Sequence, residues 1–161
     1  MNASAAGVNG WRGWWMIASC RVIGGVMARA ARWPSAMPRL TPRLGRIVDQ
    51  SLRRLKTERI DLVQFHWWDY AQPRYVEAMV WLDELRREGK VRNLGTTNFD
   101  TPRLAEILAA GIPLVSQQLQ YSVLDQRPAR GLASLAKQHD MHFLCYGSVA
   151  GGFLSDRWLG A

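Results

Sequence analysis

A histidine, two tryptophans, an aspartate and a tyrosine follow one largely apolar run in residues 60–70, IDLVQFHWWDY. An imidazole can exchange a proton near neutral pH, and an indole combines an apolar face with one hydrogen-bond donor. The run 60–65 has the length and composition of a short buried strand. His66 and Trp67 would then stand at the carboxyl end of that strand.

Polar and aromatic side chains also end three later segments with strand-like composition. Thr97 and Asn98 close the segment 91–99, Gln118 closes 112–118, and Tyr146 closes 142–146. A side-chain amide offers both a donor and an acceptor, and a hydroxyl can supply either. Side chains of these types can bind the polar groups of a ligand.

Strands and helices are predicted to alternate from Arg46 onward. Val48, Leu52 and Leu55 recur with a helical period, and Asp100 or Thr101 is the expected N-cap of a later helix. Helices are predicted at 73–90, 100–111 and 129–139, between strands at 60–65, 91–99, 112–118 and 142–146. This alternation is typical of parallel strands joined by crossover helices.

Two architectures have this order of elements: an open doubly wound sheet and an eight-stranded barrel. No GxGxxG motif follows the first predicted strand, which weakens the dinucleotide-binding open sheet. In both architectures, ligands bind at the carboxyl ends of the strands. The candidate residues should therefore gather at one end of the sheet.

The charge of the chain is concentrated near its start. The net charge is +8, but no Asp or Glu precedes Asp49, whereas seven arginines do. The remaining sequence is nearly neutral, which argues against a nucleic-acid-binding face. Two cysteines cannot build a disulfide framework and indicate a reducing, cytoplasmic environment. No apolar stretch is long enough for a membrane span.

Residues 1–45 are rich in Gly, Ala, Arg, Trp and Pro and show no clean strand or helix period. Pro34, Pro38 and Pro42 are expected to break any element that begins there. The segment is predicted to be a disordered leader outside the domain 46–161. Its composition is what GC-rich DNA yields when it is translated out of frame. An organelle transit peptide and a membrane-surface arm are the alternatives.

Four segments together resemble the aldo/keto reductase family: IDLVQFHW, GKVRNLGTTNF, QLQYSVLDQRP and CYGSVAGGFL. The resemblance runs from about Ser51 to the end of the chain. It implies a partial (β/α)8 barrel, an α/β fold in which these segments correspond to about strands four to seven of eight. It also implies NADP(H) or NAD(H) as cofactor, no metal, and a small carbonyl or alcohol as substrate.

The same resemblance implies a role for each candidate residue. His66 would bind the substrate carbonyl, and Trp67 would form an aromatic wall of the substrate pocket. The cofactor would be held by residues that contact its nicotinamide or its pyrophosphate: Thr97, Asn98, Gln118, Tyr146, Gly147, Ser148 and Val149. His139 and His142, with Cys145, form no recognised zinc spacing.

The family's catalytic residues are an Asp, a Tyr, a Lys and the His, and only His66 of these has a counterpart. No lysine precedes Lys56 and no tyrosine precedes Tyr70. Without a lysine partner, Tyr70 is not expected to replace the proton donor. We therefore expect a truncated reductase that is inactive alone. The alternative is a non-catalytic fragment that at most binds nucleotide or a protein partner.

Half a barrel would also expose two strand edges, which could associate edge to edge.

Overall fold

Strands and helices alternate through most of the molecule. The computed structural model describes residues 14–19, 26–30 and 41–160, with side chains from residue 45 to residue 160. In chain order, the described elements are β1 (Trp14–Ser19), β2 (Val26–Ala30), α1 (Thr41–Leu55), β3 (Ile60–Trp67), α2 (Tyr75–Arg87), β4 (Val91–Thr97), α3 (Thr101–Ala109), β5 (Leu114–Gln120), α4 (Leu132–Gln138) and β6 (His142–Tyr146).

One sheet contains all the described strands, in the order β2-β1-β3-β4-β5-β6. The strands β3, β4, β5 and β6 are parallel and lie side by side in chain order. Each step from one strand to the next passes through a helix, as parallel pairing requires. The predicted alternation of parallel strands and crossover helices is confirmed, and β6 has the bounds expected for it.

The outer edge of β3 is not exposed, contrary to expectation. The strand β1 pairs with it in the antiparallel direction, and β2 pairs with β1. Both strands fall inside the segment predicted to be disordered, whose other residues before Thr41 lie outside the described part of the chain. Strand pairing of this kind joins residues distant in sequence, so a local period could not reveal it.

The helix α1 begins at Thr41, earlier than the proposed domain boundary after residue 45. Pro42 lies in its first turn and was expected to break it. That position tolerates proline because the first backbone N–H groups of a helix have no partner inside the helix.

The hydrophobic core lies between one face of the parallel sheet and the helices α2 and α3. Val63, Phe65 and Leu94 contribute from the sheet, and Met79 and Leu104 contribute from the helices. Along β3 these apolar residues alternate with Gln64 and His66, because successive side chains of a strand point to opposite faces. The strand therefore turns one face to the core and its polar residues to the other.

The start of α3 follows the sequence prediction. Asp100 is the N-cap, and its side chain accepts a hydrogen bond from the backbone N–H of Arg103 at 3.0 Å. Pro102 stands in the first turn, and Gly111 follows the helix with φ +77°, a value that favours glycine. These signals fix where the loop after β4 ends. Within the part of the chain that the structure describes, no helix is both long and apolar enough to cross a bilayer.

Candidate active site

Three candidate residues form a row across adjacent strands. His66 of β3 is in register with Thr97 of β4, and Thr97 is in register with Gln118 of β5. Residues in register across parallel strands point to the same face of the sheet. The Thr97 hydroxyl donates a hydrogen bond to Gln118 Oε1 at 3.3 Å. The row lies at the carboxyl ends of the strands, where the sequence predicted it.

His66 is buried, with 8% of its surface exposed. Burial lowers the pKa of His66 from its ordinary value of 6.5, because the charged imidazolium loses hydration. The side chain is therefore mainly neutral at pH 7. A neutral imidazole has one N–H donor and one acceptor. It can donate to the oxygen of a bound carbonyl without carrying a full positive charge.

Trp67 occupies a different position from the one its predicted role requires. It is 2% exposed and lies in the core, with its ring centroid 5.9 Å from that of Phe65 and 6.1 Å from that of Tyr75. Its indole N–H donates to the backbone oxygen of Asp69 at 2.8 Å. Because strand side chains alternate, Trp67 faces the helices while His66 faces the other side. A substrate beside His66 would not meet Trp67.

Trp68, to which the family resemblance assigns no role, lies next to His66. It follows directly after the end of β3, and its ring lies beside the imidazole of His66, with centroids 4.0 Å apart and planes at 42°. The alternation of side chains between the two faces along β3 predicts this position for Trp68. If His66 faces the ligand side and Trp67 faces the core, the next residue returns to the ligand side.

Asn98 and Tyr146 meet beside the row. Asn98 has φ +57°, a left-handed conformation that asparagine tolerates better than most residues. Its backbone N–H donates to the carbonyl oxygen of Gln118 at 2.8 Å. The Tyr146 hydroxyl donates to Asn98 Oδ1 at 2.9 Å, which ties β6 to the end of β4. Tyr146 is 41% exposed, so part of its ring is open to a ligand.

The loop after β6 makes a tight turn at the same end of the sheet. Gly147 has φ +65°, and its carbonyl oxygen accepts from the backbone N–H of Ala150 at 2.8 Å. Ser148 and Val149 are exposed. Backbone at this turn can approach an anionic ligand closely, since a glycine stands where a side chain would be strained.

A cavity of about 400 Å³ lies at this end of the molecule, between the loops that follow β4, β5 and β6. Asn98, Gln120, Arg127 and Tyr146 are among its lining residues. A larger cleft of about 1200 Å³ lies at the opposite end of the strands and is lined by Asp49, Lys56 and Gly89 among others. The larger cleft contains none of the candidate residues.

The described side chains include no lysine near His66. Lys56, Lys90 and Lys137 precede β3, β4 and β6 respectively, so all three lie towards the amino ends of the strands. The Tyr70 ring is covered by the guanidinium of Arg103 at 4.1 Å. Burial, followed by the charge of Asp100, raises the pKa of Tyr70. In residues 45–160, no three His, Cys, Asp or Glu side chains are grouped so that they could hold a metal ion.

Comparison with known proteins identifies this arrangement. The family model described as the aldo/keto reductase family matches residues 26–159. The chain belongs to the aldo/keto reductase family. The four parallel strands and their helices correspond to part of the family's (β/α)8 barrel, which confirms the fold that the sequence motifs imply.

Curated relatives match about two thirds of the chain. The aldo-keto reductase YhdN of Bacillus subtilis is 34% identical over 110 residues, covering 68% of this chain and 33% of the relative. The NADH-specific methylglyoxal reductase of Escherichia coli is 32% identical over 111 residues, covering 67% of this chain and 33% of the relative. The chain thus spans about a third of the length of these relatives.

Solved structures give the same result. The holo form of aldo-keto reductase AKR11C1 from Bacillus halodurans has a TM-score of 0.65 and 34% identity, covering 74% of this chain and 41% of that one. An aldo/keto reductase from Klebsiella pneumoniae, solved in complex with NADP and acetate, has a TM-score of 0.60 and 26% identity, covering 70% of this chain and 40% of that one.

Proposed function

We propose that this chain contributes the substrate-orienting and nicotinamide-facing part of an NAD(P)H-dependent oxidoreductase that interconverts carbonyls and alcohols. The observation that carries the proposal is the row of His66, Thr97 and Gln118, with Asn98 and Tyr146 beside it. Relatives named as methylglyoxal reductases support a small carbonyl substrate. The Klebsiella pneumoniae relative, solved with NADP, supports the cofactor.

His66 has the role of binding the carbonyl oxygen. Its neutral imidazole donates a hydrogen bond to that oxygen, and the bond strengthens as negative charge develops there during reduction. A donor positioned in this way is worth about 3–4 kcal/mol of transition-state stabilisation in a dry, preorganised site.

The nicotinamide carboxamide fits the polar groups at the ends of β4 and β5. Because Asn98 Oδ1 accepts from Tyr146, the Asn98 side chain is oriented with Nδ2 as a donor to the carboxamide oxygen. Gln118 and Thr97 offer further donors and acceptors beside it. The exposed part of the Tyr146 ring is available for stacking, and the turn at 147–149 is available to the pyrophosphate. The cofactor, when bound, would supply the hydride.

Reduction of a carbonyl also requires a proton donor. Hydride transfer leaves an alkoxide that must be protonated, and a positioned general acid contributes about 10²–10⁴ in rate. In the region with described side chains, Tyr70 has no lysine partner, and its pKa is raised rather than lowered. This observation favours the second candidate function, a non-catalytic chain that at most binds nucleotide or a protein partner. We accordingly expect no carbonyl reduction above background from this polypeptide alone.

A chimera tests the proposal. The chain is assayed for methylglyoxal-dependent NADPH oxidation alone, and again after fusion to the segments of the Bacillus subtilis relative that it does not match. The chain alone should be inactive and the fusion active. His66→Ala should lower kcat of the fusion by about 10²–10³, the loss typical of one oxyanion donor. His142→Ala, an exposed residue at the amino end of β6, is the control.

One result would overturn the proposed reductase role, and another would overturn the expected inactivity of the chain alone. A folded fusion without activity would rule out the reductase role. NADPH consumption by the isolated chain, abolished by His66→Ala, would show that the chain needs no further segments.

We also propose that β6 mediates edge-to-edge self-association. It is the last strand of the described sheet, and Leu144 and Tyr146 on it are exposed. Sedimentation equilibrium of the chain and of a Leu144→Lys variant tests this, because a charge on the edge should favour the monomer.

The exposed free thiol of Cys145 is consistent with a cytoplasmic location, which we propose as well.

The domain boundary after residue 45 remains our proposal. The family match begins at residue 26, and α1 begins at Thr41, so a boundary near residue 26 is the competing position. Limited proteolysis followed by mass spectrometry distinguishes them. Early cleavage throughout 1–45 supports the leader, and protection from residue 26 onward contradicts it.

A further inference from the structure

We propose that Trp68 covers the imidazole of His66 and provides the apolar surface for carbonyl substrates that carry a planar apolar group next to the carbonyl. This inference rests on the proposed function of His66 in binding the carbonyl oxygen. It adds a residue that fixes both the orientation of His66 and the class of substrate.

Trp68 lies against the imidazole of His66 and is itself largely open to solvent. The two ring centroids are 4.0 Å apart and the ring planes are inclined at 42°, so the rings are in direct contact. His66 is 8% exposed, whereas Trp68 is 53% exposed. One side of the indole therefore contacts the imidazole, and a large part of the remainder is open to a ligand.

The backbone on both sides of Trp68 is held in place. On one side, Trp67 is fixed in the core, and its indole N–H donates to the Asp69 carbonyl oxygen at 2.8 Å. On the other side, the Asp69 carboxylate accepts from the backbone N–H of Ala71 at 3.2 Å and from Gln72 Nε2 at 3.1 Å. Trp68 thus projects from a turn with three hydrogen bonds, so little backbone freedom should be lost when a ligand packs against it.

The chemistry of the pair selects a substrate class. A carbonyl oxygen that accepts a hydrogen bond from His66 has its substituents within reach of the adjacent indole. A planar apolar group gains an aromatic contact there, worth about two- to tenfold in affinity. A methyl group covers little of the indole and gains much less. The site should therefore bind aryl ketones and aldehydes more tightly than methylglyoxal and other small aliphatic carbonyls, which the fusion is still expected to reduce.

Trp68 should also influence the protonation of His66. An indole against the imidazole removes water from one of its faces, in agreement with the burial that lowers the pKa of His66. Removal of the indole should return water to that face. A residue that only filled space elsewhere in the fold would leave the histidine's titration unchanged.

The test uses the full chain labelled at its three histidines, with the pH titration of the His66 ring followed by NMR. Acetophenone and acetone are the probes, and binding is read from shifts of the same ring. The variants are Trp68→Ala and Trp68→Phe. The matched control is Trp158→Ala, because Trp158 is 48% exposed and packs beside Phe153 after the last strand.

In Trp68→Ala, acetophenone should bind about two- to tenfold more weakly, while acetone binding stays the same. The pKa of His66 should rise towards its ordinary value in this variant, and Trp68→Phe should restore part of both effects. Trp158→Ala should change neither. If Trp68→Ala is not folded by circular dichroism, the same comparison is made between Trp68→Phe and Trp68→Leu, with phenylalanine expected to bind acetophenone more tightly.

Unchanged acetophenone affinity together with an unchanged His66 pKa in the folded variants would overturn the inference, as would equal effects of Trp158→Ala. These measurements need neither nucleotide nor turnover. An inactive fusion protein would therefore refute the proposed reductase function without affecting this result, and a negative result here would leave that function standing.

Discussion

Two rows of side chains cross the same three strands one residue apart and differ in how their polar groups are satisfied. In the row of Phe65, Thr96 and Gln117, the Thr96 hydroxyl donates to Gln117 Oε1, and Gln117 Nε2 donates to the carbonyl oxygen of Phe99 at 2.7 Å. Thr96 and Gln117 are completely buried. In this row the chain satisfies its own hydrogen-bonding groups.

The row of His66, Thr97 and Gln118 has similar residue types, but its polar groups are less completely hydrogen-bonded within the chain. The hydrogen bond from Thr97 to Gln118 is long at 3.3 Å, and Gln118 is only partly buried. Polar groups whose hydrogen bonds are weak or incomplete within the chain are free to bind a ligand, whereas fully paired buried groups contribute to stability. The comparison shows that Gln117 is a structural residue and supports Gln118 as a binding residue.

The largest effect on stability is expected when Gln117, rather than Gln118, is replaced by leucine. Gln117→Leu leaves the Thr96 hydroxyl and the Phe99 carbonyl buried without a partner, and should lower the free energy of unfolding by about 2–3 kcal/mol. Gln118→Leu should lower it by less than about 1 kcal/mol, because Gln118 is only partly buried and the hydrogen bond that it accepts from Thr97 is long, at 3.3 Å. Urea denaturation of both variants measures the difference. Equal losses would contradict the division into a structural and a binding row.

A second test concerns the layer beneath the His66 row, where β4 carries Gly95. A Cβ at this position would overlap Ser116 Oγ and lie 2.5 Å from Gln64 Oε1. Gln64 and Ser116 are buried, and Gln64 Nε2 donates to Ser116 Oγ at 2.6 Å, so neither side chain can move away easily. Gly95→Ala should destabilise the fold by about 1–3 kcal/mol.

The control for Gly95 is another glycine in a regular element. Gly45 lies inside α1, and a Cβ there would meet no atom within 4 Å. Gly45→Ala should raise the free energy of unfolding by up to about 1 kcal/mol, because alanine favours the helix. If both substitutions destabilise alike, the crowding at Gly95 is not the cause.

The sequence predicted the alternation of elements well, because hydrophobic period and helix caps are local signals. The element bounds were less accurate where a single residue decides them. The strand β5 begins at Leu114 rather than at Ile112. Pro113 has no backbone N–H to donate to a neighbouring strand, which accounts for the later start.

The candidate site was predicted in its location but not in all its members. The ends of parallel strands had to meet, so the gathering of His66, Asn98, Gln118 and Tyr146 followed from the fold. The burial of Trp67 in the core and the position of Trp68 beside His66 did not, because they depend on which face each residue takes at the end of a strand. The pairing of β1 with β3 was also missed, since it depends on contacts distant in sequence.

Tyr146→Phe is expected to have a smaller effect on stability. The substitution keeps the ring and removes the hydroxyl that donates to Asn98 Oδ1. Because Tyr146 is exposed, water can replace that donor, and the loss should not exceed about 0.5–1 kcal/mol. Nucleotide binding by the fusion protein should weaken more than stability does, because the Asn98 amide is no longer oriented. Equilibrium dialysis with NADPH, with Tyr121→Phe as the control, measures this difference.

The smallest effect near neutral pH should be the contribution of His66 to the pH dependence of folding. Burial lowers the pKa of His66 in the folded chain below its ordinary value of 6.5, which we take for the unfolded chain. Above that value both states are neutral, and His66 contributes nothing to the slope. As the pH falls through it, the unfolded chain binds a proton that the folded chain resists, so stability decreases until the folded pKa is passed. His66→Gln should remove this part of the decrease between about pH 7.5 and about pH 5.5, as measured by urea denaturation at both pH values. Trp158→Ala, which changes an exposed side chain without removing a titratable group, should retain the wild-type slope. If His66→Gln also retains the wild-type slope, the imidazole is hydrated in the folded chain. The contrast between the row of His66, Thr97 and Gln118 and the row of Phe65, Thr96 and Gln117 would then have to be explained without the burial of His66.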